Sequence, residues 1–532
     1  MSGGEHAAKP SGARNGARNG AGWRPAHNPW LIALVVTLAA FMEILDTTIV
    51  NVSLPHIAGS MSVSNDDATW TLTSYLVANG VVLTISGWFG RRLGRKRYFL
   101  ICIGMFGLCS LLCGLAGALW QLILFRLAQG FFGGGLQPTQ QAIIIDTFPA
   151  ALRGQAFAIT AVATVVAPVL GPSLGGWITD NYSWRWVFFI NVPVGAATFF
   201  AVMSLVEDPP WEKRWKSKRI DLVGLGLITL GLGCLQVTID RGEDADWFGS
   251  PFISATAALA AVGLLGAIAW LLYTRNPIVD IRVLRDRNLA VSSLLMVAMA
   301  SILYASAVVI PQLAQQVLGY TATWAGFILS PGALLVCLLI PVAARLQKLV
   351  STKYVILFGF ACLGSAMVFS HNLTPDIDFT TLTLMRAAQA AGLAFIFAPL
   401  TTVAFSSIAK ADTGDATALF TMFRNVAGSI GISLATSMIT ERTQVRLAHL
   451  VPHLTPLDPG FQTLLGAVKR GLAAAGSTTS PSAMVYRTFR EQGAVLGYMD
   501  IFGYCAIMAF CVVPLTLLLR PDKAKRGGHG AA

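Results

Sequence analysis

The sequence predicts an all-α, polytopic membrane protein, and three observations carry that prediction. Hydrophobic residues make up 55% of the 532 residues and charged residues only 12%, whereas an average soluble domain carries about 25% charged residues. The mean hydropathy is +0.63. The apolar residues also form long runs, and a helix of about 20 such residues, at ~1.5 Å per residue, crosses a hydrocarbon layer ~30 Å thick.

Fourteen apolar runs are long enough to be read as membrane-spanning helices. We expect these helices at about 30–54, 66–89, 98–117, 119–141, 153–178, 185–206, 221–239, 251–272, 288–313, 324–346, 353–370, 378–404, 414–440 and 500–519. The first run is too long for the apolar part of a secretory signal and contains two acids, so we expect it to remain as a spanning helix. Residues 1–29 are rich in Gly, Ala, Asn and Arg, and we expect a disordered tail.

The basic residues predict the orientation of the chain. They cluster after the second, sixth, eighth, tenth and last runs, in the segments 91–97, 213–219, 275–287, 345–353 and 520–526. Short cytoplasmic loops carry an excess of Lys and Arg, so both termini are predicted to be cytoplasmic. Because the net charge of +12 is spread over these loops rather than gathered on one domain, the pattern argues against a nucleic-acid-binding protein.

Motifs for other functions are missing from the sequence. The eight cysteines lie almost entirely in apolar runs, and Cys109 and Cys113 share a helix face without a nearby His or acid that would complete a metal site. There is no GxxxxGK[ST] phosphate loop, no HExxH and no GxSxG motif. We therefore expect a secondary transporter, not an enzyme, with no cofactor. The two acids inside the first run favour a proton gradient as its energy source.

Two segments of the chain repeat each other. LILFRLAQGFFGGGLQP (122–138) is similar to LTLMRAAQAAGLAFIFAP (382–399), with Arg126 matching Arg386 at an offset of 260 residues. Parallel repeats with a site at their interface are a transporter architecture; chance similarity between apolar helices is the alternative. The repeat predicts the following organisation: a cytoplasmic tail (1–29), a six-helix bundle (30–206), a loop with two inserted helices (207–287), a second six-helix bundle (288–519) and a cytoplasmic tail (520–532).

Three charged residues lie well inside the predicted membrane helices of the first bundle. Asp46 and Arg126 are each about 10–12 Å from the outer ends of their helices, counted at ~1.5 Å per residue, so they lie at one depth and can offset each other's desolvation. The pair is interpreted either as a switchable proton site or as a static salt bridge. Glu43 precedes Asp46 by three residues and shares its helix face; it either holds a proton or is capped by a hydroxyl and has no role.

Small and polar residues mark two further helices. The fourth run carries a polar stripe with glycines that permit close backbone approach, at Arg126, Gln129, Gly130, Gly133 and Gln137. In the fifth run, small residues recur every four positions (Ala163, Ala167, Gly171 and Gly175) and continue through GPSLGG (171–176). Pro172 removes a helix hydrogen bond, so this helix is predicted to bend as a hinge; tight static packing is the alternative.

The segment 441–499, between the last two runs, is too polar to span the membrane. It is predicted to be a long extracytoplasmic loop with weakly amphipathic stretches such as 461–475, and to act as a lid, a docking surface or a spacer.

Several motifs together resemble the fourteen-span drug:proton antiporters of the major facilitator superfamily, the EmrB/QacA type, and in particular the Gram-negative EmrB multidrug exporters. The resemblance covers essentially all of 30–519. The motifs are LDTTIVNVSLP (45–55), WTLTSYLVANG (70–80), RLAQG (126–130), APVLGPSLGGWI (167–178) and WRWVFFINVPVG (184–195).

The resemblance implies a major facilitator fold of two six-helix bundles with two inserted helices. It implies proton-coupling roles for Asp46 and Arg126, to which we add Glu43, and an antiport hinge at Gly171, Pro172, Gly175 and Gly176. The cytoplasmic loop motif of the superfamily maps onto Gly87, Gly94, Arg95 and Lys96. Arg91 stands where the family has an acid, so we do not expect the interhelix bond that depends on that acid. The resemblance also implies an extracytoplasmic adaptor protein and an outer-membrane channel as partners.

Our functional prediction is a proton-coupled multidrug efflux transporter in the inner membrane of a bacterium, with small-molecule drugs, protons and the lipid bilayer as its partners and no nucleic acid. Its substrates are expected to be hydrophobic or cationic, in a cavity lined by Asn51, Trp70, Tyr75, Gln129, Gln137, Arg424 and Asn425. The alternatives are a dedicated exporter of one metabolite or siderophore, and a non-transporting membrane sensor or scaffold.

Overall fold

The computed structural model describes residues 25–208, 221–242, 245–373, 377–409, 412–451, 458–474 and 480–520. Most of the predicted disordered tail, the basic segment 213–219 and the last basic segment beyond 520 lie outside the described residues. Within the described residues the structure is helical and contains no strand, which confirms the predicted fold class. In lipid, a helix satisfies every backbone polar group within its own segment.

The first bundle and the inserted pair are built from ten α-helices. Their bounds are α1 Pro29–Met61, α2 Asn65–Leu93, α3 Arg95–Leu115, α4 Leu119–Gly133, α5 Leu136–Thr147, α6 Ala150–Asn181, α7 Trp186–Phe189, α8 Asn191–Leu205, α9 Leu222–Arg241 and α10 Pro251–Tyr273. The second bundle contains α11 Arg287–Gln312, α12 Ala322–Leu349, α13 Thr352–His371, α14 Phe379–Ala394, α15 Phe397–Ala404, α16 Thr413–Leu450, α17 Pro459–Ala474 and α18 Pro481–Thr516.

Among the described residues, twelve helices are long and apolar enough to cross a membrane, and thirteen if the two bent parts of α6 count as one span. The fourth predicted run is divided into α4 and α5, of 15 and 12 residues, each too short to span alone. A Cβ at Gly134, in the break, would lie 2.5 Å from the carbonyl oxygen of Asn79, so the break lets α2 approach the backbone closely. The structure is consistent with fourteen spans, and that number stays a prediction.

The helices pack as two bundles joined by a shared central surface. In the first bundle α1 packs against α6 and α2 against α4; in the second, α11 packs against α16 and α13 against α18. Contacts of α2 with α16 and of α6 with α12 join the two bundles. The inserted helices α9 and α10 pack against each other, and α9 also contacts α2 and α16. Helix α9 therefore contacts both bundles.

The outward faces of the helices are apolar. Helix α10 exposes Val262, Leu265, Ile268 and Leu272 along one side. Exposed leucines and valines at this spacing are typical of a lipid-facing helix, because lipid tails impose no cost on apolar surface.

The polar segment 441–499 is largely helical where it is described. Helix α16 continues to Leu450, α17 covers Pro459–Ala474 and α18 begins at Pro481, while residues 452–457 and 475–479 lie outside the described part of the chain. Arg446 of α16 donates to both carboxylate oxygens of Asp500 on α18, at 3.1 and 2.6 Å. Hydropathy predicted a loop here because polar residues end an apolar run, but they do not end a helix.

Candidate functional site

A buried ion pair joins α1 to α4. Arg126 Nη1 donates to Asp46 Oδ2 at 2.6 Å, and both side chains are fully shielded from solvent. Asp46 Oδ1 accepts two more hydrogen bonds, from Gln129 Nε2 at 3.1 Å and from Asn191 Nδ2 at 2.7 Å. Gln129 follows Arg126 by three residues and therefore lies on the same face of α4. The two residues predicted to share one depth are thus in direct contact.

Aromatic rings and a backbone carbonyl complete the environment of Arg126. Its guanidinium carbon lies 4.2 Å from the ring centre of Tyr75 and 5.7 Å from that of Phe188. Its Nε donates to the carbonyl oxygen of Thr71 at 3.2 Å. Cation–π contacts are strongest in sites without water, so these neighbours reduce the cost of holding the cation in the membrane.

Glu43 lies on the same side of α1 as Asp46 but has different partners. Its Oε1 accepts from Asn79 Nδ2 at 2.9 Å and from the Tyr75 hydroxyl at 3.3 Å, and its Oε2 accepts from Gln137 Nε2. These donors are all neutral, and no ion pair of Glu43 occurs among the described residues. Tyr75 links the two acids, because its hydroxyl binds Glu43 while its ring lies against Arg126.

A cavity of about 500 Å³ lies beside these residues, between the two bundles. Glu43 and Arg126 line it, together with residues from the last half of α1 and α11, the first half of α2, the end of α9 and the middle of α16. The cavity therefore occupies the end of the molecule where α1 finishes and α2 begins. A pocket of a few hundred cubic ångströms with a few convergent polar groups suits a small organic ligand.

Four of the residues expected in this cavity lie on its wall, namely Asn51, Tyr75, Gln137 and Asn425. The other three expected residues lie behind the wall. Trp70 packs under Arg241, whose guanidinium carbon is 5.3 Å from the ring centre. Gln129 is held against Asp46, and the buried Arg424 contacts the Oδ1 of the adjacent Asn425 at 3.3 Å through its Nη2. Gln129 is therefore committed to the ion pair, and Arg424 reaches the cavity only through the wall residue Asn425.

The predicted hinge lies against α1. Helix α6 is bent by 44° between its parts Leu152–Pro168 and Leu170–Asn181, and Pro168 and Pro172 both line the cavity. A Cβ at Gly171 would lie 2.1 Å from Thr48 Oγ1, and one at Gly175 would lie 2.7 Å from Ile49 Cγ1; Gly176 is buried. The bend and the close packing therefore occur together, and the two interpretations of this motif do not exclude each other.

The two bundles are in contact at the end opposite the cavity. A Cβ at Gly87 of α2 would lie 2.8 Å from the backbone of Gly414 on α16. Arg91 Nη1 lies 2.7 Å from Asp415 Oδ1. The sequence left an interhelix bond at this loop in doubt because Arg91 replaces an acid. The structure contains an ion pair here with the base on α2 and the acid on α16, which an analysis of the loop motif alone does not reveal.

The remaining residues of the loop motif stay within the first bundle. Arg95 forms an ion pair with Asp146 at the end of α5. The backbone N–H of Lys96 donates to Asp208 Oδ1 at 2.8 Å. Gly94 joins α2 to α3 with a φ of 88°, in a region that favours glycine.

The second bundle contains a counterpart of the buried pair that lacks the acid. Arg386 Nη1 donates to Ser306 Oγ at 2.8 Å, and both residues lie 260 positions after Arg126 and Asp46. Arg386 is buried, and its Nε has no hydrogen-bond partner among the described residues. Of these two equivalent arginines, only Arg126 of the first bundle is paired with a carboxylate.

Sequence reasoning missed two kinds of residue at this site. Asn191, which binds Asp46, lies in the WRWVFFINVPVG motif, but the motif does not reveal which helix it faces. Asp240 lines the cavity from α9. Hydropathy ended the predicted run at residue 239, whereas α9 continues to Arg241 and includes Asp240. An acid directly after the end of the run was the one signal in the sequence that could have identified this residue.

Comparisons with known proteins agree with this architecture. The family model of the Major Facilitator Superfamily matches residues 36–432. The chain is 34% identical to the multidrug export protein EmrB of Escherichia coli over 504 residues, covering 94% of this chain and 97% of that protein. It is 37% identical to EmrB of Haemophilus influenzae, with 90% and 93% of the two chains covered. The fatty acid resistance protein FarB of Neisseria gonorrhoeae is 31% identical, with 93% and 97% covered.

Solved structures show the same fold at lower sequence identity. The human organic anion transporter MFSD10 (TETRAN) superposes with a TM-score of 0.56 at 14% identity, covering 91% of this chain and 100% of that one. A bacterial homologue of the human lysosomal transporter Spinster superposes with a TM-score of 0.51 at 16% identity, covering 93% and 98%. The chain therefore belongs to the Major Facilitator Superfamily and, within it, to the family of the EmrB multidrug export proteins.

Proposed function

We propose that this protein is a multidrug efflux transporter that exports hydrophobic or cationic small molecules in exchange for protons, by alternating access. The observation that carries the proposal is the position of Glu43 and Arg126 on the wall of a cavity of about 500 Å³ between the bundles, with Asp46 paired to Arg126 directly behind that wall. Acids that can exchange protons beside a ligand cavity are what proton-coupled transport requires. Membership in the family of the EmrB multidrug export proteins supports the same function.

The orientation proposed from the basic loops relates the cavity to the two sides of the membrane. With the N-terminus in the cytoplasm, the cavity lies in the extracytoplasmic half, and the contact of Gly87 with Gly414 lies at the cytoplasmic end. The ring centres of Phe157 and Phe405, one from each bundle, are 6.0 Å apart on that same side. This arrangement corresponds to the outward-facing state, in which substrate leaves and a proton enters.

Proton entry couples to the conformational change through Arg126. A proton added to an oxygen of Asp46 neutralises the carboxylate and leaves a buried guanidinium without its counter-charge. Removing one partner of a buried ion pair typically costs about 3–5 kcal/mol, so the protonated state favours a rearrangement that offers Arg126 other acceptors. A membrane potential of 100 mV supplies about 2.3 kcal/mol per proton, which is of comparable size. Tyr75 connects this event to Glu43 and to the cavity, because its ring contacts Arg126, its hydroxyl donates to Glu43 and it lies on the cavity wall.

We further propose that the protein resides in the inner membrane of a bacterium, with both termini in the cytoplasm. An extracytoplasmic adaptor protein and an outer-membrane channel are proposed as partners. The helical extensions of α16 and α18, together with α17, lie on the extracytoplasmic side in this orientation and offer a docking surface for the adaptor.

Replacing Asp46 by Asn tests the proposed coupling. The variant keeps the size and most hydrogen bonds of the side chain but cannot release a proton, so we expect no uphill drug efflux driven by a pH gradient in proteoliposomes. The exposed Asp180, near the end of α6, provides the control variant Asp180→Asn, for which we expect normal transport. Undiminished uphill transport by an Asp46→Asn protein that is reconstituted at the normal level would remove Asp46 from the coupling role. Transport of a single compound class by the wild type would instead support a dedicated exporter.

A further inference from the structure

The inserted helix α9 forms part of the cavity wall. Gln236, Ile239 and Asp240, in its last two turns, line the cavity. Helix α9 lies between α2 of the first bundle and α16 of the second and contacts both. Helix α9 therefore supplies part of the cavity wall that the two six-helix bundles do not supply themselves.

Hydrogen bonds fix this end of α9 to both neighbours. On the α16 side, Ser433 Oγ donates to the carbonyl oxygen of Ile239 at 2.8 Å, and Gln236 Nε2 lies 3.0 Å from Ser429 Oγ. On the α2 side, Arg241 donates to Thr69 Oγ1. The cavity-lining residues of α9 are therefore held in place, which is what a recognition surface requires.

Asp240 is the acidic residue of this wall. Its Oδ1 accepts from Gln236 Nε2 at 2.8 Å. The carboxylate also interacts with the side chain of Thr73, while its buried Oδ2 accepts no well-aligned hydrogen bond from the described residues. The residue also lies in the last turn of α9, where the unpaired backbone carbonyls add partial negative charge. A carboxylate oxygen without a donor in such a place is unfavourable unless something positive approaches it.

The charge of Arg241 acts on Asp240, but the neighbouring cations make their contacts with other groups. Arg126, which also lines the cavity, is paired with Asp46. Arg241 follows Asp240 in the chain, but its guanidinium donates to Thr69 and lies 5.3 Å from the ring centre of Trp70. Glu43, on the wall contributed by α1, is itself an acid.

We propose that Asp240 recognises the positive centre of cationic substrates, such as quaternary ammonium or phosphonium compounds and protonated amines. The proposal rests on the proposed function and deepens it, because it assigns the selectivity for charge to the inserted helix. Proton coupling stays with the residues of α1 and α4. The apolar part of the ligand lies against the apolar residues of the cavity, and its cationic centre lies near Asp240 Oδ2.

The competing role for Asp240 is purely structural, since it accepts from Gln236 and Gln236 in turn reaches α16. A structural role predicts an equal effect on all ligands. A recognition role predicts an effect only on ligands that carry a positive charge. Two probes of similar shape separate these outcomes: tetraphenylphosphonium, a permanent cation, and triphenylphosphine oxide, which is neutral.

The experiment measures equilibrium binding of both probes to the purified full-length protein, without a proton gradient. We expect Asp240→Asn to weaken tetraphenylphosphonium binding roughly tenfold, as expected for one lost charge contact in a partly wetted site, and to change triphenylphosphine oxide binding less than about twofold. Asp240→Glu should restore most of the affinity for the cation. The exposed Asp246, just beyond α9, provides the control variant Asp246→Asn, for which we expect normal binding of both probes.

Each other outcome overturns the proposal. Equal weakening of both probes indicates a structural residue, and unchanged binding of the cation removes Asp240 from recognition. Failure of the wild type to bind any cation overturns it as well. Uphill transport by the wild type is measured in parallel in proteoliposomes. If transport is absent, the proposed function fails; if neutral compounds are transported and cations are not bound, only the inference about Asp240 fails.

Discussion

The ion pair between Arg91 and Asp415 is expected to hold closed the end of the molecule opposite the cavity, which the proposed orientation places in the cytoplasm. Its atoms are 2.7 Å apart, and its side chains are 15% and 6% exposed. At an effective dielectric constant of about 20, two unit charges at this distance attract with roughly 6 kcal/mol, most of which desolvation cancels. We therefore expect a net contribution of about 1–3 kcal/mol, which is roughly a 5- to 150-fold shift between two conformations.

The perturbation is Asp415→Asn, which removes the charge and keeps the shape. In this structure the carboxylate lies beside Arg91; when the bundles separate at this end, that contact is lost. The variant should therefore populate the state that is open at this end far more than the wild type does. Exchanging the two residues, in Arg91→Asp with Asp415→Arg, should restore the original balance, because the attraction survives the exchange.

The assay measures the distance between spin labels at Arg97→Cys and Ala409→Cys, which are exposed residues of the first and second bundles near this end. The background is a protein in which the eight native cysteines are replaced. We expect a longer distance to gain population in Asp415→Asn and to lose it again in the exchanged double variant. Identical distance distributions in the wild type, the single variant and the double variant would refute the role of the pair.

Two further changes test other contacts of the structure. A Cβ at Gly87 would lie 2.8 Å from the backbone of Gly414, so Gly87→Ala should also open the cytoplasmic end in the same distance measurement, whereas Gly107→Ala, with no atom within 4 Å of the added carbon, should not. In the second bundle, Ser306→Asp supplies a carboxylate to the buried Arg386, and we expect the free energy of unfolding to rise by about 1 kcal/mol; a fall in the melting temperature would contradict this.

The intramembrane pair was the most predictable part of the site. A charge inside the membrane is costly without a partner, and only a few embedded charges were available to the first bundle, so Asp46 and Arg126 could be matched by depth alone. Their other partners could not be found in this way. The hydrogen bond from Asn191 to Asp46 and the one from Arg126 to the carbonyl of Thr71 depend on how α2 and α8 are rotated, and rotation leaves no unambiguous trace in hydropathy.

The contacts between the bundles could not be predicted either, because hydropathy does not reveal which helices of different bundles meet. Arg91 and Asp415 are far apart in sequence, and nothing in either loop indicates that α2 and α16 meet there. Asp240 was lost through a boundary error of one or two residues at the end of α9, because an acid is itself the signal that hydropathy uses to end a run. The same rule therefore conceals functional acids that lie close to the membrane surface.

The two repeats differ at equivalent positions, which are related by an offset of 260 residues, and we propose that they contribute unequally to transport. Each bundle places an arginine opposite the same position of its first helix, and both arginines donate to that position, at 2.6 Å to Asp46 and at 2.8 Å to Ser306. A serine hydroxyl keeps the hydrogen bond, but it does not ionise near neutral pH and so cannot change its charge. The pair in the second bundle can therefore stabilise a helix contact, yet it cannot respond to a proton gradient. In the mechanism that we propose, coupling is thus confined to the first bundle, and the second bundle, with α9 beside it, shapes the cavity and selects its ligands.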